Sequence, residues 1–139
     1  MERFAEEACL QARGGVRYWR PNHPYGRRHS KHMTDKRLYI STAPTREEAN
    51  TLASEMVGRR LAACVNILGP VASVYRWQGE VENSEEFLLL IKSTEECGAA
   101  IQQVLTELHS YKVPELICLP IEGGLESYLS WIAASVKKG

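Results

Sequence analysis

From His109 to Ile121 the chain reads His-Ser-Tyr-Lys-Val-Pro-Glu-Leu-Ile-Cys-Leu-Pro-Ile, so an imidazole, a phenol, a carboxylate and a thiol fall within 13 residues. His109 is the one histidine beyond residue 32. Together with Cys64, Cys118 and the glutamates, it offers donors for a metal. Soft thiolates select Cu(I), and imidazole accepts Cu(II) or Zn(II). These donors are scattered along the chain and lack the spacing of a closed four-ligand zinc cage. His109 also falls where a helical pattern ends, and there the helix dipole favours a cation, so a capping role is the structural alternative. Glu115 is placed to pair with Lys92 or with His109. Cys118 and Cys97 read as small apolar packers. Catalytic signatures are missing: the sequence holds no G-x-S-x-G elbow, no Walker loop and no Rossmann fingerprint. The expectation is a protein that is not an enzyme.

The elements that must position these groups follow from patterning. Arg37–Pro44 reads as a strand, stopped by its proline. Thr45-Arg-Glu-Glu48 has the form of a capping box, and Ala49, Leu52, Ala53, Met56, Val57 and Leu61 follow at helical spacing. Ala63–Leu68 is a second strand, ended by Gly69-Pro70. Val71–Glu82 is a third, with Ser73, Tyr75 and Trp77 on one face. Glu82-Asn-Ser-Glu85 is expected to turn the chain into Phe87–Lys92, making a long hairpin. Thr94-Glu-Glu96 caps a second helix with Cys97, Ile101, Val104, Leu105 and Leu108 on its apolar face. Glu115–Pro120 is the last strand. Gly123-Gly124 leads to a third helix carrying Leu125, Tyr128, Leu129, Ile132 and Val136 on one side.

That order predicts an α+β fold: a ferredoxin-like βαββαβ sandwich with an extra C-terminal helix. Phe87–Ile91 and Leu116–Leu119 are apolar on both faces, whereas the two main helices cover one. A symmetric homo-oligomer is therefore expected, with the hairpin reaching a neighbour.

The 139 residues carry a formal net charge of zero, unevenly spread. Residues 1–32 hold seven Lys/Arg against three Glu, and residues 33–139 hold ten against fourteen acids. Residues 1–36 read as a disordered basic leader and residues 37–139 as the domain. His23, His29 and His32 in the leader are imidazoles with nothing to preorganise them. Met33 is an alternative start of translation. An acidic domain argues against nucleic acid as a partner, and no apolar run is long enough for a membrane span. Four cysteines without a CxxC pair suggest reduced thiols in the cytoplasm.

Five blocks resemble the CutA divalent-cation-tolerance family: Ala62-Ala-Cys-Val-Asn-Ile67, Ser73-Val-Tyr-Arg-Trp-Gln-Gly79, Phe87-Leu-Leu-Leu-Ile-Lys92, His109-Ser-Tyr-Lys-Val-Pro-Glu115 and Tyr128-Leu-Ser-Trp131. They stand in the family's order across residues 37–136. The resemblance implies a homotrimer and a role in tolerance of copper and other divalent cations. Cys64 matches the family's strand cysteine, a proposed copper ligand. His109, Tyr111, Pro114 and Glu115 match its His-Pro-Tyr-x-x-Pro-Glu block, and Tyr75, Trp77 and Lys92 match further polar and aromatic positions. Two departures stand out: Ser110 replaces the family's usual proline, and Ser41 stands where some bacterial members carry a second cysteine. The expected metal residues are Cys64, His109 and Glu115, with copper as the ion and zinc also open. Tyr75, Trp77, Lys92 and Tyr111 are expected to line a cleft between subunits. The alternative is a trimeric regulatory or scaffold module taking a small metabolite or partner in that cleft.

Overall fold

Thr45 starts the first helix by its chemistry. In the computed structural model, which describes residues 34–138, its backbone is extended and its Oγ1 accepts the Glu48 N–H at 3.1 Å. A side-chain oxygen there satisfies one of the amides that every helix start leaves without a partner. Helix α1 (Arg46–Gly58) then buries Ala49, Leu52 and Met56, while Val57 is exposed.

Strand β1 (Lys36–Ala43) precedes α1, and β2 (Cys64–Trp77) and β3 (Glu80–Thr94) follow it. After a 3-10 turn, Glu95–Cys97, come α2 (Gly98–Leu108), β4 (Ile117–Pro120) and α3 (Glu126–Ser135). The sheet order is β2-β3-β1-β4, with every neighbouring pair antiparallel. β1 and β2 therefore run parallel with β3 between them, which is the split βαβ arrangement of a ferredoxin-like fold. The first strand begins one residue earlier than the sequence suggests. Lys36 is already in β1, and the Thr34 hydroxyl donates to the Ile121 carbonyl. The leader's histidines, His23, His29 and His32, and Met33 lie outside the described residues.

Alternation along the strands sorts the sheet into two faces. Tyr39, Ser41 and Ala43 of β1 and Leu89 and Ile91 of β3 lie fully buried on the helix side, in a core completed by Leu52, Met56, Ile101, Val104 and Leu105. The second face carries Leu38 and Ile40 of β1, Leu88, Leu90 and Lys92 of β3, Cys64, Asn66 and Leu68 of β2, and Ile117 and Leu119 of β4, as the register requires. Its centre is half-buried. Its edges are not closed: Leu68, Ile117 and Leu119 are 44, 46 and 43 % exposed.

Three expectations are corrected. Gly69-Pro70 does not end a strand: β2 continues through it, with a register shift between Leu68 and Val71 against β3. Gly69 sits at φ +152, and a Cβ there would lie 2.7 Å from Phe87 Cδ1, so the bulge demands glycine. Arg46 braces it, donating to the Gly69 carbonyl at 3.2 Å and stacking over the Phe87 ring at 4.8 Å. The hairpin turns at Gln78-Gly79, both at positive φ, and not at Glu82–Glu85. A two-residue turn of that hand matches strand twist, so pairing extends to Trp77↔Glu80. Lastly, Thr94 makes no side-chain cap, because its hydroxyl donates to Cys97 Sγ at 3.4 Å.

Candidate functional site

α2 ends at His109, whose N–H still bonds the Leu105 carbonyl at 2.9 Å while its own backbone is extended. The imidazole is thereby turned inward, with its side chain fully buried. Nε2 lies 2.7 Å from the Thr42 carbonyl, and Nδ1 accepts the Tyr111 N–H at 2.9 Å. A carbonyl requires a donor and an amide requires an acceptor, so this is the neutral ring protonated on Nε2. The Tyr111 ring packs 4.8 Å from the imidazole, and its hydroxyl is 3.1 Å from Oε2 of the buried Glu86.

The carboxylate beside His109 belongs to Glu48, whose Oε2 is 3.5 Å from Nδ1. The same oxygen accepts the Ser110 hydroxyl at 3.0 Å and the Ser110 N–H at 3.4 Å. A proline at that position would supply neither donor. The serine thus replaces a fixed backbone angle with two bonds to α1. Ser41 likewise has a positive role: its buried hydroxyl donates to the Glu115 carbonyl at 2.7 Å. The loop from His109 to Glu115 is therefore fastened at both ends to β1, through Thr42 and Ser41.

The three expected metal residues do not meet within one chain. Cys64 is paired across β2–β3 with Lys92, which is paired with Leu38. His109 contacts Thr42, four residues further along β1, or about 13 Å of strand. Both ring nitrogens of His109 are engaged by backbone groups, the Thr42 carbonyl and the Tyr111 amide. Among the described residues, no group of three or more His, Cys, Asp or Glu could hold a metal ion. Cys64 is a half-buried free thiol on the second face, with only a long 3.8 Å contact to Asn66 Oδ1. Cys118 faces the helix side opposite Tyr39, and burial pushes its thiol up, with Arg37 opposing. Burial likewise raises the Tyr39 phenol, reinforced by Cys118 and Cys97. Both shifts favour neutral packing groups.

The cleft residues are also spread out. Tyr75 pairs with Glu82 and Trp77 with Glu80 near the hairpin tip, while Lys92 is near the base of β3. Ten residues of strand separate Glu82 from Lys92, about 33 Å. The partners that sequence reasoning missed are Thr42, Glu48 and Glu86. Glu48 carried a signal read differently, as the acidic half of a capping box; its carboxylate goes to Ser110 instead.

The sheet order, the bulged hairpin and the His109–Glu115 loop can be set against known proteins. A model of the CutA1 divalent ion tolerance protein family matches residues 37–135. The chain belongs to that family. The divalent-cation tolerance protein CutA of Thermus thermophilus is 44% identical over 95 residues, covering 68% of this chain and 92% of the relative. The chloroplastic protein CutA of Arabidopsis thaliana is 42% identical over 100 residues, covering 72% of this chain and 54% of the relative, so the match spans about half of the plant protein. Among solved structures, CutA1 from Oryza sativa superposes with a TM-score of 0.75 at 37% identity, covering 78% of this chain and 99% of that one. The Cut A1 protein from Thermus thermophilus gives 0.72 at 41% identity, covering 73% and 99%. The CutA-family domain here is thus the bulged ferredoxin-like unit, with Ser110 and Ser41 both in hydrogen bonds that hold the loop.

Proposed function

We propose that this CutA-family chain acts as a non-enzymatic homotrimer in the response to divalent cations, binding copper through the Cys64 thiolate. The observation that carries this is the second sheet face. Apolar side chains there remain exposed at both edges, and Cys64 and Lys92 stand among them. Exposed apolar surface of this extent marks a contact with a partner. A second and third copy of the chain supply that partner and exclude water from the thiol. A thiolate in an apolar setting suits Cu(I). Within one chain the donor set is incomplete, so the site is completed between copies, with Glu115 as the candidate carboxylate. Lys92, paired with Cys64 across β2–β3, borders the same inter-subunit cleft, whereas Tyr75 and Trp77 near the hairpin tip and the buried Tyr111 stand apart from it within one chain. The free thiols of Cys64, Cys97 and Cys118 support a reducing, cytoplasmic setting.

Isothermal calorimetry on the untagged protein with Cu(I), Cu(II) and Zn(II) tests this reading. Copper binding that is lost in Cys64→Ala supports it. Equal binding by the variant and the parent protein rejects Cys64 as the ligand.

A further inference from the structure

The β2–β3 hairpin outruns the sheet that carries it. β1 stops pairing with β3 at Ala43↔Phe87, while β2 and β3 stay paired from Val71↔Glu86 to Trp77↔Glu80. Those seven pairs form a two-stranded ribbon, about 20 Å long at about 3.3 Å per residue. A ribbon of two strands is marginal by itself. Val74 and Val81, diagonal neighbours on one of its faces by the register, are 65 and 62 % exposed, so the described residues leave that face uncovered.

The ribbon departs at the bulge. The register shift between Leu68 and Val71 breaks the ladder there, and a bulge bends and twists its strand. Pairing alone therefore leaves the ribbon's direction soft, and a tilt of about 10° at its base would carry the tip about 3–4 Å. Interfaces packed as densely as protein interiors do not tolerate such a displacement. One side chain spans the bend. Arg46 donates to the Gly69 carbonyl of β2 at 3.2 Å, and its guanidinium lies 4.8 Å from the centroid of the Phe87 ring of β3. It is the first residue of α1, which Ala49, Leu52 and Met56 fix in the core. Both strands of the hairpin are thus tied to the rigid part of the domain at one point. The Tyr111–Glu86 bond, by contrast, reaches β3 alone.

We infer that Arg46 is a positioning residue for assembly: it sets the direction in which the ribbon leaves the sheet, so that the ribbon meets a second copy of the chain already oriented. The inference rests on the homotrimer proposed above. The partner is a second copy because β3 runs without a break from Leu90 and Leu88, on the face assigned to that partner, into the ribbon. Orientation fixed beforehand lowers the ordering cost of association. Arg46 is exposed, and at such sites a cation over an aromatic ring contributes about two- to fivefold in an equilibrium. Three copies of the bend enter each trimer, so losses at these separate sites compound to roughly 10- to 100-fold.

Subunit exchange in the full untagged chain tests this. Unlabelled and ¹⁵N-labelled proteins are combined, and the mixed trimers are followed by native mass spectrometry. Arg46→Ala is expected to exchange roughly 10- to 100-fold faster than the parent, since interface changes act mainly on dissociation. Arg46→Lys keeps a cation and a donor but not the planar stack, and it falls between the two. Hydrogen exchange of the β1 amides stays at the parent's level in both variants, because the core does not use this side chain. Equal subunit exchange by Arg46→Ala and the parent overturns the inference. So does faster exchange accompanied by lost β1 protection, which marks a loosened fold. A parent that is monomeric in the same spectra rejects the homotrimer itself, and with it this role for Arg46.

Discussion

The Nε2–H of His109 donates to the Thr42 carbonyl at 2.7 Å, and this bond fixes the end of α2 to the second-last residue of β1. It explains why a histidine buried in this fold is a structural tie before it is anything else. Truncating it leaves the Thr42 carbonyl and the Tyr111 amide, both in buried residues, without these bonds. His109→Ala is expected to destabilise the protein by about 2–4 kcal/mol, since each stranded buried group costs roughly 1–3. Urea denaturation of the variant beside the parent measures it. A loss below 0.5 kcal/mol, on the scale of ordinary surface substitutions at about ±0.5, would contradict this role.

Tyr111→Phe removes one hydroxyl and nothing else. Its bond to the buried Glu86 carboxylate is 3.1 Å long. Bonds to charged groups contribute about 1.5–3 kcal/mol, so a loss in that range is expected in the same denaturation assay. Glu86→Gln, which retains an acceptor, should cost less.

The two hairpin glycines should respond differently to alanine. Gly69 combines φ +152 with a Cβ position 2.7 Å from Phe87 Cδ1 and 3.1 Å from the Glu86 carbonyl. Gly79 has φ +81 but open space around it. Gly79→Ala is expected to cost about 1 kcal/mol of backbone strain, and Gly69→Ala distinctly more because packing must also yield. Thermal unfolding of both variants gives the ranking. Equal losses would show that the bulge relaxes freely.

Cys118 should be slow to alkylate. Burial raises its thiol, so at any pH below that point less thiolate is present than for an ordinary cysteine. Mass-mapped iodoacetamide labelling against a free cysteine peptide checks this. The expected rate for Cys118 is lower at pH 8 and rises at higher pH than for the peptide.

The fold was legible where local chemistry and long-range packing agree. The Thr45 cap, the α1 face through Leu52 and Met56, and the apolar β3 run all point the same way at each level. Gly69-Pro70 misled because that pair ordinarily marks a turn, whereas the bulge beside Phe87 uses its backbone freedom inside a strand. The hairpin turn was misplaced because Gln78 is an unusual residue at positive φ, while Glu82–Glu85 looks polar enough to turn. The site was less legible still. Glu48 is 62 positions before Ser110, and nothing in the sequence pairs them. His109 and Cys64 are separated by the sheet register, which only the strand pairing reveals.

The proposed function requires a cation-binding trimer whose thiol lies on the second sheet face. Native mass spectrometry of the untagged protein titrated with copper under reducing conditions tests it most directly. The expected result is a trimer that retains copper, and a Cys64→Ala trimer that does not. A monomer at micromolar concentration, or a Cys64→Ala trimer carrying the same copper, would contradict it.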